Sequence, residues 1–229
     1  MSPLVMRMLV VIFAFAAATV VAQTPPSAQD KSGYTGLFAA AARGDTVEIA
    51  KLTAAGADPG ARDGHGRTPL IVAAFAGQRD AMRALAKAGA DPNALDADRY
   101  DIVTIAAVAN DLPAMEVALA VGCRATNVTS RYDGTALIAA AHLGHVDVVR
   151  ALVRAGAPLD HVNNLGWTAL IESIVLGDGG PRHLATLTAI VDAGANVNLP
   201  DRNGTTPLTL AQSRGYREMV KVLERAGAK

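Results

Sequence analysis

Apolar and polar positions along this chain follow a pattern of paired short helices. Residues 135–144, TALIAAAHLG, are almost wholly apolar and end on a glycine, and residues 145–157, HVDVVRALVRAGA, are amphipathic and also end on a glycine-containing turn. A glycine at a helix end adopts the left-handed conformation without a Cβ clash. Polar stretches such as DGHGR (63–67) and PDRNGT (200–205) are suited to tight turns. The pattern therefore predicts units of two short helices joined by turns.

This unit recurs with a period of about 33 residues, and three independent markers share the period. The first marker is the glycine of a Gly-Ala or Gly-Cys pair, at Gly56, Gly89, Gly122, Gly156, Gly194 and Gly227. The second opens the first helix, at Thr35, Thr68, Asp101, Thr135, Thr168 and Thr206. The third closes that helix, at Gly44, Gly77, Asn110, Gly144, Gly177 and Gly215. A fixed period of this length is the signature of a repeat architecture.

The units resemble ankyrin repeats, which carry T-P-L-H-x-A at this period. The chain has TPLIVAA (68–74), TALIAAA (135–141), TALIES (168–173) and TPLTLA (206–211), and it lacks the histidine of the motif throughout. The resemblance covers about residues 34–229. It implies an all-α solenoid of about six helix-turn-helix repeats with short hairpin-like fingers. The expected repeats span about 34–62, 63–95, 96–128, 129–162, 163–199 and 200–229, the third being the weakest match.

The first 22 residues have the layout of a secretory signal peptide. Arg7 forms a positive start, the run from Met8 to Val21 is almost wholly apolar, and the small residues Val20 and Ala22 precede Gln23. A membrane anchor is the alternative, but the run is shorter than the roughly 20 residues that span a bilayer. We therefore expect cleavage after Ala22, a periplasmic or secreted protein without a membrane span, and a flexible leader over residues 23–33.

The charge balance and the cysteine content of the chain make some classes of function less favourable than others. Lysine plus arginine and aspartate plus glutamate both number 21, so the chain lacks the basic balance of nucleic-acid binding proteins. The single cysteine, Cys123, excludes an intrachain disulfide and stands where other repeats have alanine, which favours a small buried residue over a reactive thiol. We expect no nucleic acid, no cofactor and a monomer.

Motifs for catalysis are absent from the sequence. It contains no GxSxG, P-loop, HExxH or CxxC pattern. His142 and His145 are separated by the helix-closing Gly144, so they fall on different helices and are not a metal pair. The aspartates that begin the fingers, Asp63, Asp96 and Asp201, are expected to bond to nearby backbone. The sequence thus favours a protein that binds rather than catalyses.

The resemblance also implies where a partner would bind, because ankyrin proteins generally use the finger tips and the first helix of each repeat. Aromatic residues are frequent at those positions and are typical interface anchors. Packing between fingers is the alternative role for each of them. The candidate partner-binding residues are Tyr34, Arg67, Phe75, Tyr100, Val108, Tyr132, His142, Leu143, Trp167, Val175, Leu176, Arg202 and Arg214.

The fifth repeat carries an insertion. Its helix-closing markers, Gly177 and Gly194, are 17 residues apart, against 12 in the other repeats. Insertions in solenoids lie in loops, and this one is either neutral or a lip beside the binding surface. We predict a non-catalytic module that binds a partner protein outside the cytoplasm. A structural or accessory envelope factor and an uncharacterised hydrolase are the alternatives.

Overall fold

The computed structural model describes residues 23–229, which contain helices and turns and, within that range, a single isolated antiparallel bridge between Thr129 and Gly134. The predicted signal peptide lies outside the described residues. The helices of the described part are α1 (Ala28–Gly33), α2 (Gly36–Arg43), α3 (Thr46–Ala54), α4 (Pro69–Phe75), α5 (Arg79–Lys87), α6 (Ile102–Val108), α7 (Leu112–Ala120), α8 (Ala136–Leu143), α9 (Val146–Arg154), α10 (Ala169–Val175), α11 (Pro181–Asp192), α12 (Pro207–Ser213) and α13 (Arg217–Arg225).

Helices α2 to α13 form six consecutive pairs, and the pairs stack in chain order. The first helices pack on one another in the order α2, α4, α6, α8, α10 and α12, and the second helices in the order α3, α5, α7, α9, α11 and α13. The buried core between the two layers is mostly alanine, leucine, isoleucine and valine. Stacking of apolar faces between neighbouring repeats is what stabilises such a solenoid. The predicted all-α solenoid of six helix pairs is confirmed.

In five of the six repeats, the side chain of the residue that opens the first helix caps that helix, which explains why threonine and aspartate are interchangeable there. The exception is Thr35, which makes no side-chain capping bond. The Thr135 hydroxyl accepts the backbone N–H of Ile138 at 3.3 Å. In the third repeat the Asp101 carboxylate accepts the N–H of Thr104 at 2.8 Å. Both side chains satisfy a donor that has no partner inside the helix. The third repeat, the weakest match in sequence, therefore keeps the same helix start.

Helix closure follows the expected glycine and asparagine pattern, with one exception. Asn110 takes φ 54° and Gly144 takes φ 69°, both left-handed. Gly177 does not have a positive φ, and a Cβ there would lie 2.1 Å from the carbonyl oxygen of Ser173. Its glycine is required by close backbone approach. The insertion that follows has moved the left-handed position to Gly179, at φ 68°.

The fingers are hairpin-like turns organised by a side chain at their start. Asp63 accepts the backbone N–H groups of His65 and Arg67, each at 2.9 Å. Asp96 and Asp201 make the same kind of bond to the backbone of their own fingers. The expectation that these aspartates build turns is confirmed. Successive fingers are joined through backbone bonds that include Ala97 N–H to His65 C=O, Ser130 N–H to Arg99 C=O and Asn164 N–H to Tyr132 C=O, each 2.9 Å.

The segment for which we expected a flexible leader contains helix α1. Ser27 caps it by accepting the N–H of Asp30 at 3.0 Å, while the Asp30 carboxylate accepts the N–H of Ser27 at 2.9 Å. This reciprocal capping box satisfies two donors at the helix start. Between residues 23 and 229, no helix is both long and apolar enough to cross a bilayer.

Candidate binding cavity

A cavity of about 510 Å³ lies between the fingers and the first helices of the third, fourth and fifth repeats. This volume falls in the range of sites that hold small organic groups. Seven of the thirteen candidate partner-binding residues line it, namely Tyr100, Val108, Tyr132, His142, Leu143, Trp167 and Leu176. Residues far apart in sequence meet there because the period places equivalent positions of successive repeats side by side.

Three aromatic residues of successive fingers form one wall of the cavity. Tyr100 and Trp167 stand immediately before the capping residues of α6 and α10, and Tyr132 lies in the finger turn of the fourth repeat. Tyr132 and Trp167 are half-buried, whereas Tyr100 is only 7% exposed. Burial, and then the neighbouring Asp98 carboxylate, raises the pKa of the Tyr100 hydroxyl. Tyr100 is therefore a packed wall residue, and Trp167 and Tyr132 offer the accessible aromatic surface.

The opposite wall is mostly aliphatic and comes from the first helices. Val108 ends α6, Ile138 and Leu143 lie on α8, and Leu176 follows α10. Thr104 and Thr129 add two hydroxyls, whose oxygens are 3.1 Å apart in a hydrogen bond. One hydroxyl donates and the other accepts, so the bond links α6 to the finger of the fourth repeat.

One buried carboxylate, Glu172, lines the cavity on α10. It is 5% exposed, its Oε1 accepts the side-chain N–H of Asn163 at 2.8 Å, and its Oε2 is 3.3 Å from Nδ1 of His142. Glu172 and Asn163 are not among the residues that the sequence predicts to bind a partner. A signal was present, because the positions equivalent to Glu172 in the other repeats are all apolar: Ala39, Val72, Ile105, Ala139 and Leu210.

The insertion of the fifth repeat braces the helix that carries His142. His183, on α11, is 6% exposed, and its Nε2 lies 3.0 Å from the backbone oxygen of His142 while its Nδ1 lies 2.8 Å from Asp178. The N–H of Gly180, and then His183, lower the pKa of the Asp178 carboxyl. The Tyr216 hydroxyl donates to the backbone oxygen at Gly177, at 3.0 Å. The inserted turn is thus packed on both neighbouring repeats.

Arg67 has surroundings that differ from those expected at a finger tip. It is 1% exposed, and its guanidinium donates to Asp63 at 2.7 Å and to Asp30 at 3.0 Å. The leader covers it, because its Nη1 also reaches the backbone oxygen of Thr24 at 3.4 Å. Arg67 is therefore engaged within the chain and is not available to a partner in this conformation.

Tyr34 belongs to the same network as Arg67. Its hydroxyl donates to Asp63 at 2.7 Å, and its ring stacks on Phe38 with centroids 5.4 Å apart. Burial, and then the bond to Asp63, raises the pKa of Tyr34 well above its ordinary value. Burial opposes any lowering of the Asp63 pKa, but the hydrogen bonds from Tyr34 and Arg67 outweigh it and the pKa falls.

The remaining candidate residues also lie away from the cavity lining. Phe75 is half-buried against the core. Arg214 donates to the backbone oxygen of Val175 at 3.1 Å, which links two neighbouring repeats. Arg202 is exposed and donates to the backbone oxygen of Asn164 in the preceding finger. The structure thus gives the two arginines links between repeats.

The leader reaches the cavity. Gln23 lies at its edge, and the Thr24 hydroxyl donates to the carboxylate of Asp98 at 3.2 Å. Further along the leader, Asp30 forms an ion pair with Arg67 of the second finger. The cavity edge therefore includes a segment that precedes the repeats.

Cys123 is 3% exposed, which confirms the prediction of burial, and burial raises the pKa of its thiol. Its sulfur lies 3.5 Å from the carboxylate of Asp101. His142 and His145 do lie on either side of Gly144, at the end of α8 and before α9. In the described range, residues 23–229, no three His, Cys, Asp or Glu side chains are grouped so as to hold a metal ion.

Two protein-family models match this chain, and both describe ankyrin repeats. The family model described as "Ankyrin repeats (3 copies)" matches residues 11–96 and 103–201, and that described as "Ankyrin repeats (many copies)" matches residues 181–224. The crystal structure of an ankyrin repeat domain from Acinetobacter baumannii AYE is 44% identical, with a TM-score of 0.80, over 84% of this chain and 98% of that one.

Three further comparisons are more distant. The putative ankyrin repeat protein YahD of Escherichia coli K12 is 38% identical over 103 residues, 44% of this chain and 51% of YahD, so the chain spans about half the length of that relative. Longer curated relatives, such as the ankyrin repeat and KH domain-containing protein mask-1 of Caenorhabditis elegans, match over 3% of their length. A structure of the Bdellovibrio bacteriovorus endopeptidase Bd0816 with immunity protein Bd3460 aligns at 21% identity and TM-score 0.69, over 84% of this chain and 98% of that one, a likeness of fold alone.

Proposed function

Because the chain belongs to the ankyrin-repeat family, we propose that it is a non-catalytic protein–protein interaction module that acts outside the cytoplasm. Ankyrin repeats generally mediate protein–protein interaction, and their domains are typically binding modules without catalysis. The partner, in this proposal, is a protein that docks on the fingers and first helices of repeats three to five. The observation that carries it is the cavity that brings Tyr132, Trp167, Leu143 and Leu176 together.

The make-up of this surface suits a protein partner. Tryptophan and tyrosine at the centre of a concave, mostly apolar site are typical anchors, because they bury large areas at small cost in side-chain entropy. Trp167 is half-buried in the free protein, so part of its indole is still available for burial by a partner. The aliphatic wall around Leu143 and Leu176 supplies the apolar rim that excludes water from such an anchor.

Action outside the cytoplasm rests on the amino-terminal sequence. The charged, apolar and small-residue regions of residues 1–22 have the order of a secretory signal. Cleavage after Ala22 would leave Gln23 as the first residue, next to the cavity edge. Intact-mass analysis of the exported protein tests this point. A product that retains residues 1–22 in the membrane fraction would make the protein anchored instead.

Capture of a partner by immobilised wild-type protein and matched variants tests the binding surface. We expect one protein from the periplasmic or extracellular fraction to be retained stoichiometrically, and Trp167→Ala to weaken its binding by about 1–4 kcal/mol. Val47→Ala is the control, since Val47 is an apolar side chain on α3, 78% exposed and remote from the cavity.

Binding that survives Trp167→Ala but is lost in Val47→Ala would move the interface to another face of the solenoid. Thermal unfolding of each variant shows whether the repeats remain folded. Size-exclusion chromatography of the unbound protein tests the further expectation that it acts as a monomer.

A further inference from the structure

The cavity is asymmetric in charge. Glu172 is the one carboxylate among the described residues that line it, and that lining contains neither lysine nor arginine. The nearby Asp98 and Arg131, which lie beside Tyr100, are paired with each other at 3.3 Å. The negative charge of Glu172 therefore faces the cavity without a permanent cation beside it.

The partners of Glu172 within the chain leave its charge only partly compensated. A buried carboxylate is costly unless hydrogen bonds or an opposite charge replace its lost hydration. Asn163 supplies a neutral hydrogen bond at 2.8 Å, and His142 lies at 3.3 Å and carries charge only when protonated. A permanent cation entering the cavity would complete the compensation.

The aromatic wall favours the same kind of group. Cations are attracted to the faces of tryptophan and tyrosine rings, and a guanidinium stacks on them through its flat, weakly hydrated surface. Trp167 and Tyr132 line the cavity together with Glu172. An arginine side chain has the length, the flat cationic end and the apolar stem that suit a cavity of about 510 Å³ with aliphatic walls.

We infer that the cavity receives an arginine side chain of the partner protein, with Glu172 as its counter-charge and the rings of Trp167 and Tyr132 beside the guanidinium. This inference rests on the proposed function, because the arginine belongs to the partner. It assigns Glu172 as the residue that determines specificity at a site otherwise built from apolar contacts.

The experiment uses Trp167, the only tryptophan of the chain, as an intrinsic fluorescent reporter of the cavity. Butylguanidinium is titrated as the cationic probe, and butylurea serves as its near-isosteric neutral control at the same ionic strength. We expect saturable binding of butylguanidinium and affinity for butylurea weaker by about tenfold or more, because only the cation pairs with the buried carboxylate.

A pair of matched variants isolates the carboxylate. Glu172→Gln keeps the size and an oxygen acceptor for Asn163 but removes the charge, so we expect it to abolish the preference for butylguanidinium. Glu116→Gln, at an exposed position of α7, is expected to leave the preference unchanged. Equal affinity of the wild type for both probes, absence of saturation by butylguanidinium, or a preference that survives in folded Glu172→Gln would overturn the inference. The comparison of butylguanidinium with butylurea on the wild-type protein tests the inference even if Glu172→Gln does not fold.

Partner capture separates this inference from the proposed function. Loss of capture in both Trp167→Ala and Glu172→Gln supports both. Capture that is lost in Trp167→Ala but unchanged in Glu172→Gln overturns the arginine site and leaves the interaction surface in place. Capture that neither variant affects overturns the arginine site and places the interface outside this cavity, whereas failure of the wild type to capture any protein overturns the proposed function itself.

Discussion

Arg67 and Asp30 lie 37 positions apart in the chain, and their side chains form an ion pair in which Nη2 of the arginine is 3.0 Å from Oδ2 of the aspartate. The pair joins the leader to the second finger. Arg67 is 1% exposed and also binds Asp63, so the guanidinium has acceptors on two sides. The ion pair between Asp30 and Arg67 thus holds the leader against the second finger, and substitution of Asp30 tests this directly.

Replacement of Asp30 by asparagine should release the leader. Asp30→Asn removes the charge that faces Arg67 and weakens the capping box of α1, so we expect faster tryptic cleavage after Lys31. Thermal unfolding should change little, because the stacked helices of the repeats do not depend on this contact. Asp80→Asn, which breaks an exposed pair with Arg83, is the control. Unchanged cleavage in Asp30→Asn would show that other contacts hold the leader.

Leader docking should also weaken at strongly acidic pH. The N–H of Ser27, and then Arg67, lower the pKa of Asp30 from 3.8 to about 2. Because the docked state has the lower pKa, its stabilisation is complete above pH 3.8 and is lost as the pH falls through about 2. The Ser27 amide, which donates to Asp30, should report a titration midpoint near 2 by NMR. A midpoint at the ordinary aspartate value would contradict both the bond from the Ser27 amide and the pairing with Arg67.

His183 should stabilise the contact between the fourth and fifth repeats. His183→Ala removes the donor to the His142 carbonyl and the partner of Asp178, so we expect a loss of about 1–3 kcal/mol in the free energy of unfolding, the usual effect of leaving an acceptor unpaired. Arg182→Ala, at the exposed neighbouring position on α11, should have little effect. Urea denaturation of both variants measures the difference in the free energy of unfolding. If His183→Ala and Arg182→Ala are equally stable, the insertion does not brace α8.

The capping threonines should differ in their contribution to stability. Thr135→Val keeps the shape of the side chain but removes the hydroxyl that accepts the Ile138 N–H, so we expect a loss of about 1 kcal/mol. Thr35→Val is the matched control, because Thr35 makes no side-chain capping bond and is exposed. Comparable losses at both positions in chemical denaturation would show that the capping bond does not account for the contribution of Thr135 to stability.

The thiol of Cys123 should be inert in the folded protein. It is buried, and burial raises its pKa, so reaction with a thiol reagent at neutral pH should be slow in the native state and fast in urea. Cys123→Ala should leave stability nearly unchanged, since other repeats have alanine at this position. Rapid labelling under native conditions would show that the second half of the third repeat opens readily.

The fold could be predicted because its markers report local backbone geometry. Asn110 and Gly144 occupy the left-handed conformation that their positions in the repeat indicated, and Asp101 caps α6 as threonine does elsewhere. Gly177 shows where this reasoning fails. It holds the expected place in the period, but the insertion after it changes the path of the chain, and its glycine is required by the nearby Ser173 carbonyl.

The sequence by itself determined the repeat architecture of this protein, because helix caps, left-handed closures and apolar faces depend on residues within a few positions of one another and recur with the period. It also indicated seven of the residues that line the cavity, since equivalent positions of stacked repeats become neighbours. Only the tertiary structure decided which of those residues a partner could reach. The burial of Arg67, the packing of Tyr100 and the position of Glu172 in the cavity depend on contacts between distant segments, whose geometry no local pattern encodes.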